Sequence, residues 1–232
     1  MRPFNPQFML DVIPNLLPFL WVTLTVVLGT VFFGSLLGFV LAQAKLSQKP
    51  RYRWLVDGYI YIIRCTPSIV LLFIVFYGLP KFCLEVFDTD INRYDKIFFV
   101  IVTFTLLFSA PISEVMRSAY EATDHGQYEA AVSIGLTPWQ AFYHIVLPQA
   151  TVVALPNFGN SVIELMKEGA LAYTIGLIDL IGKGQLIISQ NYGAYALETY
   201  LSLSFIYLLL TLGVEKSFLC LEHALSRQKK VV

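Results

Sequence analysis

The chain has 232 residues, of which 56% are hydrophobic and 14% charged; its mean hydropathy is +0.66, and Lys+Arg and Asp+Glu balance at 16 each. Such a chain has neither the net field that recruits nucleic acid nor the polar surface of an ordinary water-soluble domain. Cys65, Cys83 and Cys220 are too few and too scattered for a disulfide framework or a metal site, and His125, His144 and His223 come with no nucleophile or redox motif, so catalytic classes are disfavoured.

From Val12 to Ala44 there is no Asp, Glu, Lys or Arg, and about 20 apolar residues suffice to cross a bilayer. A first span is predicted over Leu16 to Ala44. It is too long, and its flank (only Arg2) too weakly charged, for a cleaved secretory signal. Gly29, Gly34 and Gly38 along it permit a neighbouring helix to approach closely. Further spans are predicted at Asp57 to Leu79, Ile97 to Val115, Thr151 to Ile175 and Ala196 to Leu219. The expected fold is all-α, a polytopic transmembrane bundle of about five spans forming one domain over residues 1–232.

Charge orients the bundle. Lys45, Lys49, Arg51 and Arg53 between the first two spans, and Lys216, Arg227, Lys229 and Lys230 in the tail, suit the cytoplasm. The stretch Lys81 to Lys96, with Glu85, Asp88, Asp90 and Asp95, suits the outer side, as does the N-terminus. Residues 151–190 are long enough for two crossings turning at Lys167, Glu168 and Gly169, but two would carry the basic tail outside. One crossing is therefore expected, broken near Gly169 and Gly176 and followed by a short half-buried helix.

Charges at membrane depth need a partner, a cavity or an escape to the interface. Arg64 lies about two turns into the second span, where its stem reaches headgroups or, alternatively, a translocation path. Glu164, Lys167 and Glu168, at i, i+3 and i+4, are either a self-neutralising cluster or the lining of a path in which a zwitterion exchanges its charges with theirs. Asn157, Asn160 and Ser161 add hydrogen-bonding capacity, and Glu114 with Arg117 reads as a structural pair.

Residues 118–150 form the longest polar-rich stretch. Gln127 to Ile134 favours a helix with Glu129 in its first turn, ended by Gly135. Thr137, Pro138 and Gln140 start a second helix through a capping box, which Leu147 and Pro148 are expected to stop. Ala130 and Ala131 are small enough to let a neighbouring protein close in.

Glu129-Ala130-Ala131, Gly135, Ile145, Leu147 and Pro148 fill every fixed position of E-A-A-x3-G-x9-I-x-L-P, and so the chain resembles the permeases of ABC importers. Arg64, Thr66 and Pro67, the run Tyr77-Gly78-Leu79-Pro80, and Gly126-Gln127-Tyr128 are similar to segments of the polar amino acid group of that family. Cys65, where glycine is common, and Lys167-Glu168-Gly169-Ala170-Leu171, where many members read Lys-Asp-Thr-Ser-Leu, depart from it. The resemblance implies coupling helices at Glu129, Ala130, Ala131 and Gly135 that dock on a separate ATPase dimer. It also implies a second permease copy or paralogue, an extracytoplasmic solute-binding protein and a polar amino acid substrate, cystine or a relative. Arg64, Thr66, Asn160, Glu164, Lys167 and Glu168 are the path candidates.

The chain is expected to bind no cofactor itself. Its nearest approach to a phosphate-binding loop, Gly176 to Gly182-Lys183-Gly184, has one residue too many and lacks the hydroxyl, so ATP would be spent by the partner. The rival reading, a secondary amino acid transporter run by an ion gradient, predicts repeated halves, and no internal repeat is visible.

Overall fold

The computed structural model describes residues 4–47 and 49–229, which are helical almost throughout. Arg2 and Lys230 lie outside the described residues, as do the side chains of His125, Arg227 and Lys229. The chain opens with a helix that the sequence reading did not anticipate, α1 (Pro6–Leu16). Asn5 caps it, accepting from Gln7 N at 3.1 Å and Phe8 N at 3.3 Å, and Pro6 occupies the first position. One 3-10 turn joins it to α2 (Leu20–Leu46), so the first helical run covers 41 residues rather than starting at Leu16.

The second predicted span is not one helix. α3 (Pro50–Cys65) ends at Thr66, which is extended (ψ 124°) because the ring of Pro67 excludes a helical conformation before it. The apolar run long enough to cross is Ser68–Phe87, made of α4 (Ser68–Phe73), a π turn at Ile74–Gly78 and α5 (Leu79–Phe87). Next come α6 (Lys96–Glu121), α7 (His125–Ser133) and α8 (Pro138–Ala141). A second π turn, Phe142–Val146, leads into α9 (Leu147–Glu168). A 3-10 segment, Gly169–Ile175, then precedes α10 (Leu180–Gln190) and α11 (Ala196–Lys229).

Among the described residues four helical runs are long and apolar enough to cross a membrane, and Pro138–Ile175 with Leu180–Gln190, bent by 49°, makes a fifth if the pair is one span. The predicted break near Gly169 and Gly176 is that bend. Gly176, at φ +78°, closes the 3-10 segment, and Lys96 Nζ donates to its carbonyl at 3.0 Å.

Two packing centres dominate the core of the described residues, and a third, Val56, Ile60 and Ile63 of α3 against Ala110 of α6, seats α3 on the bundle. In the larger, Val26 and Val27 of α2 meet Phe104, Phe108 and Ile112 of α6 and Val162, Leu165 and Met166 of α9. In the smaller, α1 lies on α11: Val12 and Leu16 pack with Leu180, Ile187, Leu203 and Ile206, Phe8 stacks on Tyr195 at 3.8 Å, and Asn5 N donates to Glu198 Oε1 at 2.9 Å.

The glycines of α2 act as the sequence suggested. A Cβ on Gly38 would lie 2.9 Å from Ile112 Cγ2 and 3.2 Å from the Ser109 carbonyl oxygen, whereas one on Gly58 of α3 would meet nothing within 4 Å. Gly38→Val is therefore expected to lower stability by about 1–3 kcal/mol through overpacking. Gly58→Ala should be neutral or slightly stabilising, since alanine is the better helix former. Unfolding midpoints in detergent measure both, and equal midpoints for the two variants would remove the close-packing argument.

Candidate functional site

Five of the six path candidates come together. Arg64 and Thr66, where α3 breaks, and Glu164, Lys167 and Glu168 on α9 line one cavity of about 400 Å³, with Ser68 at the start of α4 and Leu107, Phe108 and Pro111 of α6. Three local features build it. The Thr66-Pro67 break turns the chain, so that the end of α3 and the start of α4 both face inward. Pro111 has no N–H, so the carbonyl of Leu107 loses its helical donor within the same wall. On α9, Pro156, Asn157, Asn160, Glu164 and Lys167 are exposed, while Gly159, Ser161, Val162, Leu165 and Met166 are buried, so a polar stripe runs up one side of a membrane helix.

The cluster is not self-neutralising. Among the described residues no salt bridge involves Arg64, Glu164, Lys167 or Glu168. Ser68 Oγ instead donates to Glu168 Oε1 at 2.9 Å, tying α4 to α9. Two bases and two carboxylates therefore face the same space with their charges uncommitted, an arrangement that suits a ligand carrying both signs. Asn160 departs from the expectation. It lines a separate, smaller cavity of about 140 Å³ between α9 and α11, with Glu215, Phe218 and Glu222, about one turn before Glu164 on the same stripe.

At the other end of α9 the predicted two-helix knob forms, with corrections at its ends. α7 begins two residues earlier than predicted, capped by Asp124, whose Oδ1 accepts from Gly126 N at 2.8 Å; Glu129 thus falls in the second turn. Gly135, at φ +102°, ends it: Gly135 N donates to Val132 O at 3.0 Å and Leu136 N to Ala131 O at 3.1 Å, the bond pair of a Schellman motif. The capping box of α8 is complete, with Thr137 N donating to Gln140 Oε1 at 2.9 Å and Gln140 N to Thr137 Oγ1 at 3.3 Å.

Leu147 and Pro148 do not stop the second helix. The widened π turn Phe142–Val146 accommodates the missing N–H and the ring of Pro148, and the helix runs on as α9. Glu129, Ala130, Gly135 and Pro148 are exposed, Ile145 and Leu147 half-buried, and Ala131 buried. Close approach from outside is thus open at Ala130, while Ala131 packs within the chain. Ile134 (80% exposed) and Trp139 (71%) add an apolar pair to the knob surface that the sequence reading passed over. Gln149 Nε2 donates to Gln127 Oε1 at 2.6 Å, fastening α7 to α9.

The pairing of Glu114 with Arg117 holds, Arg117 Nε donating to Glu114 Oε2 at 3.0 Å, but it is part of a larger chain of charges. Lys45 bridges Glu114 and Asp57, the latter at 2.8 Å, and Arg117 also reaches Glu121 at 2.5 Å. α2, α3 and α6 are pinned together there, so Lys45 is not a free member of the basic loop. Between α5 and α6, Asn92 donates backbone and side-chain N–H to Asp90 Oδ1 at 2.9 and 2.8 Å, which holds that exposed carboxyl below its ordinary pKa.

The family described as "Binding-protein-dependent transport system inner membrane component" matches residues 34–226. The L-cystine transport system permease protein TcyL of Bacillus subtilis (strain 168) is 39% identical over 206 residues, covering 89% of this chain and 85% of the relative. The probable amino-acid permease protein YxeN of the same organism is 32% identical over 212 residues, covering 91% and 92%. A solved amino acid ABC transporter with histidines superposes with a TM-score of 0.79 at 29% identity, over 96% of this chain and 100% of that one.

Proposed function

This chain belongs to the family of binding-protein-dependent transport system inner membrane components, the membrane permeases of ABC importers, and from that premise we propose that it forms the translocation path for a polar, zwitterionic amino acid. The observation that carries the substrate class is the cavity in which Arg64 and Lys167 face Glu164 and Glu168 without salt bridges. A substrate carboxylate would be taken by the guanidinium and ammonium, and its ammonium by the carboxylates. Cystine, with two groups of each sign, is the first candidate, in keeping with the L-cystine transport system to which the 39% identical relative belongs.

In this reading an ATPase dimer grips the α7–α8 knob through Glu129, Ala130, Gly135 and the exposed apolar Ile134. The chain itself binds no cofactor, and ATP is hydrolysed in the partner. A second permease copy or paralogue covers the polar stripe of α9, which lipid would not tolerate. An extracytoplasmic binding protein delivers the solute, and the N-terminus lies outside the cell membrane with the C-terminus in the cytoplasm.

The mechanical link is α9 itself. Leu147–Glu168, 22 residues or about 33 Å at 1.5 Å per residue, joins the knob to the charged cavity as one continuous helix that acts as the lever. Movement of the knob by the ATPases swings Glu164, Lys167 and Glu168 relative to Arg64, exchanging access between the two sides. The rival ion-gradient transporter is disfavoured by the family match and by the 29% identical ABC transporter fold.

Equilibrium binding to the purified permease tests the substrate class. An amino acid that binds should lose about ten- to a hundredfold in affinity when its amine is acetylated or its carboxylate amidated, the loss expected for one hydrogen bond to a charged group. Blocked analogues that bind as well as the parent would remove the zwitterion reading.

A further inference from the structure

A second cavity, sharing no lining residue with the charged one, opens beside the first three turns of α9. It measures about 300 Å³, and its walls are apolar side chains of four helices, among them Phe39 and Ala42 of α2, Met116 of α6, Ala154 and Phe158 of α9 and Phe218 of α11. The hydroxyl of Thr151 within it donates to the Leu147 carbonyl at 2.7 Å, and its other polar lining residues, Gln43 and Tyr120, stand where it meets the wider groove.

Through Phe39, Gln43, Leu46, Tyr120 and Phe142 the slot continues into a wider groove of about 740 Å³, whose mouth is formed by Ser47, Pro138 and Trp139. The mouth differs in chemistry from the interior. Trp139 is an exposed aromatic of the kind that sits at headgroup level. Just beyond Ser47 come Lys49, Arg51 and Arg53, all exposed, with no acid before Asp57. Lys45 is held by Asp57 and Glu114, so these three are the bases left to face the membrane surface.

We propose that this slot holds one acyl chain of an anionic phospholipid, with the phosphate at the mouth beside Ser47 and Lys49. A largely apolar slot reached through a basic, aromatic mouth has the polarity profile of that lipid, and acyl chains are the apolar material a membrane protein meets within the bilayer. The occupant lies against Phe142, the first residue of the π turn, and Leu147, the first of α9, and so against the joint between the knob and its lever. Lipid in the slot then sets how stiffly the knob is joined to α9.

The test uses the full-length chain in nanodiscs with Trp21→Phe and Trp54→Phe, which leaves Trp139 as the sole tryptophan. Phosphatidylglycerol with brominated acyl chains should quench Trp139 about fivefold more effectively than brominated phosphatidylcholine at equal mole fraction, the gain expected from one engaged base. Ala154→Phe, which fills the slot, and Lys49→Glu should each abolish that preference. Native mass spectrometry of the unsubstituted chain should find one phosphatidylglycerol retained per chain, a readout that survives even if Ala154→Phe folds poorly. Equal quenching by the two lipids, unmoved by Ala154→Phe and with no lipid retained, would mean bulk bilayer only. Protection of Trp139 from both lipids would assign the slot to a second protein surface; either result overturns the proposal.

Discussion

Gly135→Pro is expected to abolish ATP-driven uptake, by at least about tenfold, while the protein remains in the membrane in normal amount. Gly135 sits at φ +102°, and proline fixes φ near −65°, so the corner between α7 and α8 cannot keep its shape. The substitution also removes the Gly135 N–H bond to Val132 O, which with the Leu136 bond to Ala131 closes the helix. Nothing lies within 4 Å of a Cβ built on Gly135, so the reason for glycine there is backbone conformation and not space. Gly135→Ala then isolates the conformational cost, about 1–3 kcal/mol for a non-glycine residue held in a disfavoured region, and should impair coupling partially. The corner lies on the exposed knob, away from all three packing centres, which is why insertion should survive. Transport by Gly135→Pro at the unsubstituted rate would show that the knob's geometry does not transmit the power stroke.

The second large effect is expected in the charged cavity. Arg64→Gln and Glu164→Gln should each reduce uptake about ten- to a hundredfold, because each removes a charged partner that the substrate meets in the cavity. Since neither side chain is in a salt bridge in the structure, neither substitution leaves an opposite charge stranded, and protein stability should change little. Asn160→Ala is the control that separates structure from sequence pattern. It stands on the same stripe but lines the cavity against α11, so uptake should be nearly unchanged. Comparable losses for Asn160→Ala and Glu164→Gln would relocate the path to the α11 side of α9.

Much of this architecture was legible in the sequence because its signals are local. Long charge-free runs mark spans, the Thr137-Pro138-Gln140 pattern marks a capped helix, and Gly135 marks a left-handed corner; each depends on a few adjacent residues. The misreadings arose where local rules compete. Pro67 ended a helix that hydropathy alone extends to Leu79, whereas Pro148, also read as a terminator, was absorbed by a π turn and ended nothing. Helix α1 was hidden inside one apolar run, although Asn5-Pro6 gave its capping signal.

The site followed the same division. The residue types at Arg64, Glu164, Lys167 and Glu168 suggested a charged path, but convergence of α3, α4, α6 and α9 is tertiary information that spacing along one helix cannot carry. The i, i+3, i+4 spacing fitted mutual neutralisation and a path lining equally, and could not show that Glu168 accepts from Ser68 of another helix. Lys45 looked like one more cytoplasmic base and proved to be the bridge between Asp57 and Glu114, partners 12 and 69 residues away in sequence.

The central claim is that this permease moves an amino acid by coupling α9 to an ATPase docked on the α7–α8 knob. It is tested most directly by reconstituting the chain in proteoliposomes with an ABC ATPase and a solute-binding protein of its source organism, and following uptake of labelled cystine and other polar amino acids. Uptake that requires ATP and all components, and that is lost on Gly135→Pro, is the predicted result. Uptake driven by a proton or sodium gradient without the ATPase, and indifferent to that substitution, would contradict it.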